Sequence, residues 1–251
     1  MVHLLPLPGA PGWSGSMDAV EERAASDALA LEEGGVDGLL VENYGDLPFE
    51  PGSLPPATVA ALSRAAGAVV SASSLTVGVN ALRNDAAAAL GVAVAVGGRF
   101  LRVNVHVGTM FTDQGVLEGR AHETLRLRRS LGAPVAILAD VFVKHATPPP
   151  GAELEEAARD AWERGRADSL IVSGPATGRA PTPDRIRRVK EAVPAAPVWV
   201  GSGVTPERGA ELFAAGDGAI VGSAFQTGGR AGAGVDPDRV RILVDGLRGR
   251  R

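Results

Sequence analysis

The amino-acid sequence predicts an α/β fold: a single (β/α)8 TIM barrel occupying residues 1–251 as one domain. Three observations carry this expectation. Short apolar runs alternate with longer helical patterns eight times along the 251 residues, and such alternation builds a parallel sheet. No linker interrupts the series, and a chain of this length that is 45% hydrophobic can fill one large core. The last three helical segments also open alike, with TPDR at 182–185, TPER at 205–208 and DPDR at 236–239. Each supplies an N-cap oxygen, a proline at the first helical position and an acid in the first turn. An open doubly wound sheet is the alternative. Eight consecutive βα units without a break favour the barrel.

The elements follow in order. VHLLPL at 2–7 reads as the first strand. It starts with almost nothing before it, so the reading includes a first strand truncated at the N-terminus. Residues 17–34 form a helix stopped by Gly34 and Gly35. GLLVENY at 38–44 is a strand, followed by a helix that opens on the prolines of PPATVAALSRAAGAVVSAS. LTVGVN at 75–80 is a strand, and NDAAAALGVAVAVG is a helix capped by Asn84 or Asp85. FLRVNVH at 100–106 is a strand, then a long loop leads to a helix over 118–132. VAILADV at 135–141 precedes the helix AELEEAARDAWERG. SLIVSG at 169–174, VWVGSG at 198–203 and AIVGSAF at 219–225 are the last three strands.

Composition narrows the function classes. A formal net charge of −4 argues against a nucleic-acid partner. The basic end, RGRR, reads as a solvated terminus. With no cysteine, disulfides, thiolate metal sites and a cysteine nucleophile are excluded. The start MVHLLPLPGAPGW lacks the features of a signal peptide, and nothing reaches the roughly 20 apolar residues of a membrane span. The expectation is a soluble cytoplasmic protein without a transmembrane segment. A homo-oligomer is compatible with the sequence.

In this fold chemistry gathers where strands end and βα loops begin. The scarce polar residues fall there. All four asparagines do: Asn43, Asn80, Asn84 and Asn104. So do both glutamines, Gln114 and Gln226, and three of the four histidines, His3, His106 and His145. Asparagine favours turns for backbone reasons alone, but the αβ turns at the opposite face carry none of these residues. That asymmetry marks the C-terminal face as the functional one.

Several clusters stand out. GVNALRND joins Asn80, Arg83, Asn84 and Asp85. One of the last two caps the helix, whereas Arg83 has the planar fork that suits a phosphate or carboxylate. RVNVH places Arg102, Asn104 and His106 on one strand face, inward, as ligand contacts or as a buried network. Glu42 and Asp140 sit inward at the ends of their strands, fit for acid–base work. They could also hold a divalent cation, the minority reading, since no diagnostic ligand spacing is present. No cofactor is predicted. Ser173, Gly174, Thr177 and Gly178 in VSGPATG, Gly201, Ser202 and Gly203 in VGSG, and Gly222 and Ser223 in VGSAF form glycine-rich loops that let amides approach an anion. Two of these loops follow strands seven and eight, the usual phosphate position in this fold. No P-loop, HExxH or GxSxG motif occurs.

Lys144 is one of only two lysines among 25 basic residues; the other is Lys190. Lysine can lose its proton on burial and act as base, Schiff-base amine or compact anion contact. Asp140 and His145 lie near enough in sequence to tune it.

The stretches HLLPLPGAP, GVDGLLVENYGDLPF, GVNALRNDA, FLRVNVHVGTMFTDQGVLEGRA, ADVFVKHA, DSLIVSGPATG and VGSGV together resemble the BtpA/SgcQ family. The resemblance runs over nearly the whole chain. It implies a barrel of the ribulose-phosphate-binding type and a label concerned with biogenesis of membrane complexes, photosystem I in particular. It attaches no reaction. Two readings follow. The first is an enzyme acting on a phosphorylated small molecule, a phosphosugar or nucleotide-like compound, by isomerase, lyase or glycosyl-transfer chemistry. Its catalytic candidates are Lys144, Asp140, Glu42 and His106. Substrate contacts would come from His3, Asn43, Asn80, Arg83, Asn84, Asp85, Asn104 and His145. The second is a non-catalytic assembly factor. So many inward polar groups at one face favour the enzyme.

Overall fold

The computed structural model describes residues 1–248; residues 249–251, most of the RGRR end, lie outside the described residues. In chain order the first elements are β1 (Val2–His3), α1 (Met17–Glu33), β2 (Gly38–Glu42), α2 (Pro56–Ala72), β3 (Thr76–Asn80) and α3 (Ala86–Val96). The middle holds β4 (Phe100–Val103), β5 (Thr109–Thr112), β6 (Gly115–Glu118), α4 (Ala121–Ser130), β7 (Ala136–Val141), β8 (Ala146–Thr147) and α5 (Leu154–Arg159), which runs on as a π turn over Asp160–Arg164. The end holds β9 (Ser169–Val172), α6 (Pro183–Ala192), β10 (Val198–Val200), α7 (Gly209–Ala215), β11 (Gly218–Ala219) and α8 (Pro237–Arg248).

Eight parallel strands form one curled sheet in the order β1-β2-β3-β4-β7-β9-β10-β11. The barrel is not closed by a ladder between β1 and β11. Met1 N instead donates to Val221 O across the gap at 2.9 Å, and the Gln226 amide meets His3 Nδ1 at 2.6 Å.

The first strand is shorter than its apolar run suggests. Leu4 N still reaches Glu42 O at 2.9 Å, but Pro6 has no N–H to continue the pairing. Two of the three similar helix starts cap as expected. Thr182 Oγ1 accepts from Arg185 N at 3.2 Å, and Asp236 Oδ1 accepts from Asp238 N at 3.1 Å. TPER does not: Thr205–Arg208 form a turn, and α7 starts only at Gly209, whose N–H bonds Thr205 O at 2.7 Å. The long loop after β4 is an antiparallel sheet, with β5 between β6 and β8. Met110 and Leu117 face inward and are buried; Phe111 and Val116 face outward and are exposed.

Strand alternation sorts the interior into two layers. Leu39, Val41, Leu101, Val103, Ala139 and Val141 point out and pack into the main core under the helices. Of the inward residues, Leu40, Leu138 and Ile171 form a separate apolar plug with Phe100 and Trp199. Gly78 makes room for this plug, since a Cβ there would lie 2.2 Å from the Phe100 ring. One pleat nearer the C-terminal end, the inward positions are Glu42, Asn80, Arg102 and Asp140, all buried. An apolar floor therefore carries a polar belt, and the belt opens at the C-terminal face.

Candidate functional site

The belt is built around a buried ion pair. Arg102 Nε donates to Asp140 Oδ2 at 2.8 Å, and its Nη2 to Oδ1 at 2.9 Å. Asn104 Nδ2 adds a bond to Oδ2 at 2.9 Å, and Ser173 Oγ one to Oδ1 at 3.1 Å. Four donors saturate the Asp140 carboxylate, whose side chain is fully buried. The expectation of Asp140 as an acid or base meets a carboxylate whose lone pairs are all engaged in this arrangement. Glu42 is less committed. Its Oε2 accepts from Asn80 Nδ2 at 2.5 Å, and its Oε1 stands 3.8 Å from His3 Nε2.

Above the belt lie two connected spaces. The larger is a cleft of about 520 Å³. Tyr44, Leu47, Phe49 and Leu82 form its apolar wall, and Arg83, Asn104, Asp113, Lys144, His145 and Thr177 stand among its polar groups. The smaller is a recess between His3, Tyr44 and the loops after β9, β10 and β11, contributing Thr177, Gly178, Gly201, Ser202, Gly203, Gly222 and Ser223. Tyr44, Arg102, Lys144 and Thr177 line both.

The recess is rich in free donors. Among the described residues, the amides of Gly178, Gly203, Gly222 and Ser223 have no backbone acceptor. Ser223 also opens a short 3-10 turn, Ser223–Phe225. Gly203, Gly222 and Ser223 are partly buried and Gly178 is exposed; several backbone N–H groups without a protein acceptor at one concavity suit an anion. The glycines are required by geometry. A Cβ at Gly203, where φ is +69°, would come within 2.0 Å of Ala180 N. One at Gly174 would meet Arg179 O at 2.1 Å. The Ser202 hydroxyl ties these loops together, accepting from Gly174 N at 3.0 Å and donating to Arg179 O at 2.8 Å.

Lys144 sits where cleft and recess meet. Burial lowers its pKa below the ordinary value for lysine; Arg102 and Arg83 push the same way against Glu42 and Asp140. Its loop is tightly constrained. Phe142 and His145 hold φ of 54° and 57°, a left-handed conformation that non-glycine residues adopt only when neighbours enforce it. Arg83 Nη2 donates to the Lys144 carbonyl at 2.8 Å, and His145 N donates to Pro175 O at 3.1 Å. His145 Nε2 accepts from Thr177 N at 3.1 Å. The His3 ring stacks on Tyr44 with centroids 4.4 Å apart. Burial above all lowers its pKa to about 4, so the ring facing the recess is neutral at pH 7.

Other expected contacts turn out to hold the scaffold. The structure turns His106 away from the mouth, its Nε2 2.7 Å from Gly165 O, because the chain leaves the barrel wall after Val103. Asn43 Oδ1 accepts from Leu82 N at 2.7 Å, and its Nδ2 donates to Asp46 Oδ2 at 2.9 Å. Asn84 bonds the backbone of Val105 in both directions. Asp85 caps α3 through Ala88 N and also accepts from Leu54 N. Asn80, Ser173 and Gly174 line neither space, being held by Glu42, Asp140 and Ser202 respectively. Sequence reasoning missed Tyr44, Leu47, Phe49 and Asp113. Tyr44 was within reach, because it is the only tyrosine and ends the apolar run GLLVENY. Among the described residues no group of three or more His, Cys, Asp or Glu is placed to hold a metal ion, and no helix is long and apolar enough to cross a membrane.

A parallel eight-stranded sheet with its polar belt and anion-suited loops at the C-terminal face defines a TIM-barrel-like protein. Solved structures agree at the level of the fold. A thiamine phosphate pyrophosphorylase from Pyrococcus furiosus superposes with a TM-score of 0.60, at 16% identity over 90% of this chain and 89% of that one. A (S)-3-O-geranylgeranylglyceryl phosphate synthase from Thermoplasma acidophilum, in complex with sn-glycerol-1-phosphate, also gives 0.60, at 16% identity over 91% and 88%. The chain belongs to the BtpA family, whose model matches residues 1–248. It is 44% identical to the photosystem I biogenesis protein BtpA of Synechocystis, over 98% of this chain and 86% of that protein. An uncharacterised protein of Thermococcus kodakarensis is 46% identical over 98% and 92%.

Proposed function

We propose that the protein is an enzyme acting on a phosphorylated small molecule bound at the C-terminal face, with the phosphate in the recess and the reacting portion in the cleft beside Lys144. The observation that carries this is the set of four amides around the recess that have no backbone acceptor among the described residues, together with a lysine lying between the two spaces. Arg83 and Asn104 orient the substrate from the cleft floor. Lys144 is the reactive group, and Glu42, with one oxygen uncommitted, is the accompanying acid or base. The apolar wall of Tyr44, Leu47 and Phe49 favours a substrate with a flat or apolar portion over a bare phosphosugar.

Thermal unfolding against a panel of phosphorylated sugars and nucleotides tests the reading. A ligand at about 100 times its Kd adds roughly 2.7 kcal/mol, which raises Tm by about 5–10 °C for a chain of this size. Ser223→Asp puts a carboxylate into the recess and removes that shift. If no phosphorylated compound moves Tm, the reading fails. A second reading then leads: a non-catalytic factor in assembly of a membrane complex. It draws on the name of the Synechocystis relative and on the exposed Phe111 and Val116 beside the mouth.

A further inference from the structure

We propose that Lys144 forms an imine with an aldehyde or ketone group of the phosphorylated substrate, so that the protein acts on carbonyl compounds. The proposal rests on the phosphate reading above and adds the reactive functional group. Its geometric basis is the isolation of Lys144. No carboxylate lies within ion-pair distance of its Nζ among the described residues, although Asp140 and Glu42 belong to the same belt. Asp140 is saturated by Arg102, Asn104 and Ser173, and Asn80 holds Glu42. Arg102 and Arg83 act on Lys144 in one direction and Glu42 and Asp140 in the other, and burial decides the balance.

Nor is a further fixed cation needed. Arg102 is neutralised by Asp140, but Arg83 already supplies permanent positive charge to the cleft, and arginine binds oxyanions with two parallel bonds where lysine makes a point contact. What lysine alone brings is a nucleophilic nitrogen. Burial and the neighbouring guanidiniums shift Lys144 toward the free amine, and the left-handed residues Phe142 and His145 fix the loop on both sides of it.

The chemistry balances without a co-reactant. The amine nitrogen attacks the carbonyl carbon, forming a C–N bond while the carbonyl π pair moves to oxygen. One N–H proton of the adduct moves to that oxygen, giving a neutral carbinolamine, and the proton shed earlier by the ammonium then joins the hydroxyl. Water leaves, and a protonated imine remains. That imine withdraws electrons from the adjacent carbon, which serves both lyase and isomerase chemistry.

The test uses the whole protein and pyridoxal 5′-phosphate, an aldehyde carrying both a phosphate and a flat ring. Borohydride fixes any imine, and peptide mapping locates it. The sequence provides its own control, because the only other lysine, Lys190, is paired with Asp217 at 2.6 Å on the surface. Lys144 is expected to label at least about tenfold faster than Lys190, since binding places the aldehyde beside its nucleophile. Inorganic phosphate should slow the labelling, and Lys144→Arg should abolish the aldimine absorbance while the far-ultraviolet dichroism is kept. If plain pyridoxal labels Lys144 as fast as its phosphate ester does, the imine stands and the phosphate reading falls. If Lys144 is no faster than Lys190 or the Met1 amine with either probe, the imine proposal is overturned. A Tm shift by other phosphorylated ligands would then leave the phosphate reading in place.

Discussion

Asp140 and Lys144 lie four residues apart and receive opposite treatment from the same fold. Asp140 points down into the belt and is consumed by it; Lys144 lies on the loop beyond and is left unpaired. A test of the first assignment is stability rather than activity. Asp140→Ala leaves the Arg102 guanidinium buried without its partner, and breaking such a pair costs about 3–5 kcal/mol. Urea unfolding of the variant should show that loss. An unchanged midpoint would return Asp140 to the chemistry. The sequence made the inward direction of Arg102, Asn104 and Asp140 readable through the period of two. It could not say which partner each would find. Saturation of a carboxylate depends on a serine from β9's end and an asparagine from β4's end meeting it, and those sit 33 and 36 residues away. His106 shows the same limit in reverse. The alternation holds only while the strand does, and β4 ends at Val103.

At the level of elements, boundaries were legible wherever a local signal set them: Asp85 and Thr182 cap their helices, and Gly97, with φ of 80°, ends α3. The hairpin was legible too but went unread. TMFT and GVLE alternate buried and exposed residues on either side of the turn at Asp113 and Gln114. Its role emerges only in three dimensions, where β8 joins it and Asp113 reaches the cleft. The glycine-rich loops were identified by composition, yet their function splits. Gly174 serves contact between loops, whereas Gly203 serves both that contact and the recess. Gly203→Ala is therefore expected to cost on the order of 3 kcal/mol, combining a left-handed backbone with a steric clash, and to remove phosphate-ligand binding. Gly52→Ala has open space around it and should leave both unchanged. Chemical denaturation and ligand-induced Tm shifts on the two variants separate these outcomes. A silent Gly203→Ala would mean that the loop rearranges freely and does not define the recess.

On the scale of the whole molecule, the seam between the first and last strands is where fold and function meet. Seven of the strand interfaces are ladders; β1 and β11 have none between them, and their flanking residues are bonded by Met1 N to Val221 O and by Gln226 to His3. Local opening follows the density of such contacts. Amides of β1 and of residues 218–222 should exchange with solvent earlier than those of β3, β4, β7 and β9, which are paired on both sides. The recess spans this seam, with Met1 and His3 on one bank and Ile220, Gly222 and Ser223 on the other. An anion held there bonds amides of the last loop and packs against the first strand. Its binding energy then acts on the weakest interface of the barrel. Hydrogen exchange read by mass spectrometry, with and without a ligand that raises Tm, tests this directly. Slowing in both segments together, with little change in β3 and β4, is the expected pattern. Protection confined to residues 173–180 and 201–205 would place the ligand on one bank only, and the seam would have no part in binding.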